Sequence, residues 1–123
     1  MYTDGGMNVR WKVIYYVSPS GTIPVKEFLD AAGPALKAKV FRIFQHLVEY
    51  GLQTIIPQVK KLSGTPLWEI RILGGDSARV LFVTQQGQTI LLLHAFYKKK
   101  QKTPQKELTT AMARLREYER GVT

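Results

Sequence analysis

Cysteine is absent from the 123-residue chain. Without a thiol there is no disulfide, no thiolate metal ligand and no cysteine nucleophile, so any chemistry must come from other side chains. Histidine is nearly as scarce, at two residues, and no grouping of His, Asp and Glu has the spacing of a metal site. Neither a metal nor a cofactor is expected. Apolar runs are short: none approaches the roughly 20 residues needed to cross a bilayer, and the amino-terminal stretch lacks the basic start and long apolar segment of a secretory signal. Acidic residues are also in short supply. Nine Asp and Glu stand against eighteen Lys and Arg, a net charge of +9. A small chain with that imbalance is expected to meet nucleic acid, an acidic protein or an anionic surface. With no span or signal, the expectation is a cytoplasmic protein with no membrane partner.

What is present is enough for one core. The chain is 45% hydrophobic and 22% charged, too apolar for disorder, and a single domain is expected over residues 8–120. Residues 1–7, MYTDGGM, carry no pattern and read as an extension outside it, disordered or left from cloning. From Asn8, the run NVRWKVIYYV alternates with Val9, Trp11, Val13, Tyr15 and Val17 on one face, which predicts a strand. Pro24 suits the first turn of a short helix stopped by Gly33, and Pro34 opens a second that ends at Gly51. The stretch LQTIIPQVKKLSGTP reads as loop or irregular extended chain. Three strand-like runs follow, LWEIRIL, ARVLFV and TILLLHAFYK, joined by short turn-rich links that imply antiparallel hairpins. Thr103 is expected to cap, and Pro104 to begin, a last helix whose Leu108, Ala111, Met112, Leu115 and Tyr118 form an apolar stripe. The predicted class is α+β, with a small, mainly antiparallel four-stranded sheet, an N-terminal helical hairpin and a C-terminal helix.

Strand alternation places the arginines. Trp68, Ile70 and Ile72 face one way and Glu69 and Arg71 the other, while Arg79 faces away from Ala78, Val80 and Phe82. Matching apolar face to apolar face therefore puts Arg71 directly across from Arg79. A two-residue turn at Gln86 and Gly87 would pair Thr84 with Thr89 and set His94 opposite Arg79, completing a row. Like charges opposed on a sheet repel, so the arginines want an anion between them. Glu69 can be a structural counter-ion, and internal pairs with Glu69 or Asp76 are the structural alternative.

Lys98, Lys99, Lys100 and Lys102 follow the last strand and are predicted at the sheet edge near the final helix, where a phosphate lying across the arginine face could reach them. Trp68 reads as core, and Phe96 and Tyr97 as packing or base stacking. If the ligand is RNA, a 2′-hydroxyl can attack its own phosphate once a base takes its proton and a cation holds the oxygens. Arginine suits the second task, and a lysine crowded by cations the first. His94 could be acid or base; His46 reads as structural or surface. These features describe a basic α+β domain with a phosphate-ready face and do not separate binding from cleavage.

The succession KKLSGTPLWEIRI, ARVLFV and LLLHAFYKKKQKTPQKELTTAMARL resembles the HigB-like, phage-derived Gp49-like branch of the RelE/ParE toxin superfamily over about residues 8–120. The resemblance implies a type II toxin that cuts messenger RNA, commonly on the ribosome, and is silenced by an antitoxin carrying a helix-turn-helix domain, with a hetero-oligomer of the two possible. It implies that Arg71 and Arg79 hold the scissile phosphate and that Lys99 or His94 transfers protons. Lys98, Lys100 and Lys102 would belong to the basic rim, Lys60 and Lys61 would contact RNA or ribosome, and Tyr97 would stand at the edge of the site. The alternatives are a gyrase-poisoning relative of the same fold and a non-catalytic nucleic-acid or protein-binding module.

Overall fold

A computed structural model describes residues 10–53, 57–72, 77–98 and 102–121. Residues 1–7, Asp76, Lys99 and Lys100 lie outside them. In chain order the elements are β1 (Lys12–Tyr15), α1 (Pro24–Ala32), α2 (Pro34–Tyr50), β2 (Val59–Lys61), β3 (Trp68–Ile72), β4 (Ala78–Gln85), β5 (Thr89–Tyr97) and α3 (Gln105–Gly121). They build an α+β fold around one mixed sheet of order β1-β5-β4-β3-β2, in which only the β1-β5 pairing is parallel.

The sheet has five strands and not four. The additional one is β2, inside the stretch expected to be irregular, which pairs antiparallel with β3 through Val59↔Ile70, Lys60↔Glu69 and Lys61↔Trp68. Three residues are too few to display an alternation in sequence, and Pro57, two positions earlier, has no N–H to extend the ladder.

Both faces of the sheet are covered. Val25, Leu29, Val40, Phe44 and Leu47 of the α1-α2 hairpin pack on Ile70, Ile72, Val80, Phe82, Ile90 and Leu92. On the other face Ala111 and Leu115 of α3 meet Leu81, Val83, Leu91 and Leu93, with Leu108, Met112 and Tyr118 packed alongside. Each Leu or Phe buried this way contributes about 1.5–3 kcal/mol. The central strands β4 and β5 are therefore apolar on both sides, as strands with two covered faces must be. Arg71 and Arg79 lie on the face opposite the hairpin core, and that face is not bare. That side is shared, with α3 over one part of it and the charged row over another.

Gly51 ends α2 with φ +69°, and its amide donates to the Leu47 carbonyl. A Cβ there would run into the Trp11 indole, besides forcing a left-handed backbone on an L-residue. Gly51→Ala is expected to destabilise the fold by about 2–3 kcal/mol, read as a lower urea midpoint at unchanged slope.

Candidate phosphate-binding face

Arg71 and Arg79 are paired across β3 and β4, as the alternation requires. Glu69 precedes Arg71 by two positions on the same face, Lys60 of β2 stands opposite Glu69, and Phe96 of β5 stands opposite Arg79. Lys98, two residues past Phe96, is held at the strand end by its amide, which donates to the Ser77 carbonyl at 2.8 Å. Among the described residues, one side of the sheet thus gathers four cations, Lys60, Arg71, Arg79 and Lys98, around a single carboxylate.

That carboxylate is deeply placed. Glu69 is 1% exposed, Lys98 5% and Arg79 6%. The Arg79 Nε lies 3.5 Å from Glu69 Oε1, an ion pair without hydrogen-bond geometry that leaves both atoms buried and unbonded. Arg79 spends one amino group on the Ala78 carbonyl at 3.1 Å. Thr103 donates its hydroxyl to Glu69 Oε2 at 2.5 Å, and the Lys98 ammonium donates to the Thr103 oxygen at 3.3 Å. This corrects the capping role expected of Thr103. Its hydroxyl goes to the sheet, and the first helical carbonyl acceptor is that of Pro104, which receives the Glu107 and Leu108 amides.

Electrostatics reflect the crowding. Burial pushes the Lys98 ammonium below the usual lysine pKa; Glu69 opposes this, while Arg79, Lys60 and Arg71 push the same way. Arg79 is lowered as well, first by burial and last by Arg71, with Glu69 opposing. Arg71 is therefore close enough to both groups to be felt by them. It is only partly buried and has no carboxylate partner among the described residues. Four other acids are committed elsewhere: Asp30 to Lys26 and Lys37, Glu49 to Arg10, Glu107 to His94, and Glu117 to Arg120.

His94 does not stand in the row. The turn contains three residues, Gln86 to Gln88, with Gly87 and Gln88 at φ +76° and +60°, so Gln85 and not Thr84 pairs with Thr89. A bulge then omits Leu93 from the ladder, and His94 falls opposite Leu81. The two offsets add to two residues, which keeps His94 on the arginine face but shifts it along the strand. There its Nε2 meets the Glu107 carboxylate at 2.6 Å, and its Nδ1 lies 3.1 Å from an Arg114 amino group. An arginine can only donate, so Nδ1 accepts and the proton sits on Nε2 of a neutral ring. Burial lowers the His94 pKa below 6.5, Glu107 raising it and Arg114 lowering it further. An unfolded chain takes that proton near 6.5 and the folded one only at lower pH, so this contribution is full above 6.5 and declines as pH falls. The unfolding midpoint of the native protein should drop more between pH 7.5 and 5.5 than that of His94→Gln.

The remaining residues divide. Lys61 stands opposite Trp68, on the hairpin side, and its ammonium donates to the Thr65 carbonyl at 2.7 Å. Tyr97 is exposed on that side as well, its ring 4.8 Å from Phe28. Phe96 is buried and stacks on His94, and Trp68 stacks on Phe82 in the core. Lys102 is exposed. Thr103 was the residue missed for the site, because a Thr-Pro pair before an apolar stripe carries only the signal of a helix start.

Residues 27–116 match the family described as phage derived protein Gp49-like (DUF891). The chain belongs to that family. Gp49-like proteins are a toxin-antitoxin family of the RelE/HigB type, so an antitoxin protein is the partner that membership implies. The matched span takes in most of α1, all of α2, every strand from β2 to β5 and most of α3. No curated protein matches the chain closely enough to add a named relative. No helix among the described residues is long and apolar enough to cross a membrane.

Proposed function

We propose that this Gp49-like chain is a type II toxin that cuts messenger RNA, on the ribosome and in the cytoplasm, and that its antitoxin carries a helix-turn-helix domain. The observation that carries the reading is the opposed pair Arg71 and Arg79, with Lys98 and Lys60 beside them and one carboxylate, Glu69, among the four. Among the described residues that sheet face carries an excess of three positive charges, which calls for an anion, and a phosphodiester supplies acceptor oxygens in the geometry a guanidinium fits.

In this reading the ribose 2′-oxygen attacks the adjacent phosphorus. The bond from phosphorus to the 5′-oxygen breaks, leaving a 2′,3′-cyclic phosphate and a 5′-hydroxyl. Arg71 and Arg79 hold the non-bridging oxygens as charge builds on them. Lys98 takes the 2′ proton from its neutral amine form, which the lowering of its pKa by burial favours, and becomes a cation as the phosphate gains charge. In the same reading the leaving oxygen receives a proton from the Lys60 ammonium. His94 positions α3 through Glu107 and Arg114 and takes no proton in the reaction. No step calls on a metal.

Primer extension on a reporter message in a translation extract tests this. Discrete cuts within codons are expected on adding the protein. Gyrase-dependent DNA breakage instead would identify a topoisomerase poison, and neither effect would leave a binding module.

A further inference from the structure

A cleft of about 440 Å³ opens between α2 and the end of β3, lined by Lys39, Arg42, Ile43, Gln58, Arg71 and Ile72. Its volume falls within the range of small-molecule sites. Three of its six lining residues are cationic and none is acidic, while Ile43 and Ile72 supply apolar surface. Arg42 and Lys39 lie three residues apart on α2, so their side chains leave neighbouring points of one helix face. A ligand that satisfies both components joins negative charge to an apolar body. A nucleotide does so.

Arg71 connects this cleft to the phosphate-binding face. It lines the cleft, and its charge is felt by Arg79 and Lys98 on the α3 side. A strand whose phosphate sits on Arg71 and Arg79 therefore has its next unit within reach of Arg42 and Lys39. An acidic peptide would meet the same charges, but it would leave the apolar surface without a planar partner and would gain nothing from Arg71 being shared.

We propose that the α2-β3 cleft is a second nucleotide subsite, which takes the base and phosphate flanking the scissile position of a single-stranded RNA and so helps to choose where the message is cut. This rests on the ribonuclease reading above and adds to it a site built from α2. Arg42 and Lys39 are specificity and positioning residues in this scheme and do not touch the reacting atoms.

Fluorescence anisotropy with single-stranded oligonucleotides made inert by 2′-deoxy sugars tests the proposal. The probes are a dinucleotide, which spans the arginine face alone, and an octanucleotide, which also reaches the cleft. Lys39 and Arg42 are exposed, so the double variant Lys39→Ala with Arg42→Ala should fold, as circular dichroism will check. The variant is expected to bind the octanucleotide about tenfold more weakly and to leave dinucleotide binding within about twofold. Its slope of log affinity against log salt should shrink by about 0.7, the value for one phosphate contact on a single strand. In the native protein the Ile43 and Ile72 methyl resonances should move with the octanucleotide and stay still with the dinucleotide. Equal weakening for both lengths, or none for either, overturns the subsite while leaving the ribonuclease reading in place. Failure of the native protein to bind either probe overturns both. Loss of binding to a polyglutamate peptide, with the octanucleotide unaffected, would overturn the subsite in favour of an acidic protein segment.

Discussion

Arg71→Ala is expected to lower the rate of message cleavage about 100-fold, the scale for removing one charge-stabilising donor at a reacting oxygen, while leaving stability within about 0.5 kcal/mol. The separation of the two effects follows from where the side chain stands. Arg71 is partly exposed and has no carboxylate partner among the described residues, so nothing buried loses a counter-charge when it goes. Relief of repulsion at Arg79 and Lys98 would, if anything, make the native state slightly more stable. Timed primer extension on a fixed message, with urea unfolding of the same preparations, gives both numbers. A fall in cleavage matched by a fall in stability would mean that the guanidinium holds the sheet together and does not serve the phosphate. Arg79 is a poorer choice for this test, because its removal leaves Glu69 buried beside one fewer cation and mixes the two effects.

Glu69→Ala should act in the opposite sense and cost about 3–5 kcal/mol of stability, the usual penalty for stripping one member from a buried ion pair. Glu69 is the carboxylate set against Arg79, it accepts the Thr103 hydroxyl, and through Thr103 it ties the start of α3 to β3. Without it, two nearly buried cations face each other with no anion between them. Added inorganic phosphate should restore part of the lost stability in this variant, since an anion that binds only the folded form stabilises it by mass action. A loss under about 1 kcal/mol would contradict the assignment of Glu69 as the counter-charge of the cluster. A larger loss that phosphate does not relieve would show that the vacated place cannot accept an external anion.

How much of this could be read from the sequence differs between strands. In LWEIRIL Glu69 and Arg71 alternate with Trp68, Ile70 and Ile72, and in ARVLFV Arg79 stands between Ala78 and Val80, so a one-residue slip would bury an arginine among isoleucines, and the pairing of Arg71 with Arg79 follows from that cost. TILLLHAFY has no such alternation, because β5 is covered on both faces and its residues are apolar whichever way they point. Its register was therefore open to a longer turn and a bulge, and His94 moved two residues out of the row. β2 escaped notice because three residues show no period, and its existence is decided by β3 offering an edge to pair with. The apolar stripe of α3 was legible at helical spacing, yet nothing in it told that its first turn would be tied to Glu69 through Thr103. Lys98 looked like one member of an exposed run; it is buried with its amide on the Ser77 carbonyl and its ammonium on Thr103, long-range contacts that carry no local sequence signal.

The central claim is that Arg71, Arg79 and Lys98 act on one anion. Nitrogen-detected NMR of the two guanidinium groups and the ammonium, during titration with a single-stranded RNA carrying one 2′-deoxy sugar at the cut position, tests it most directly. The three signals are predicted to move together along one binding curve with a single Kd. Movement of Arg42 and Lys39 alone, or separate curves for Arg71 and Arg79, would contradict it.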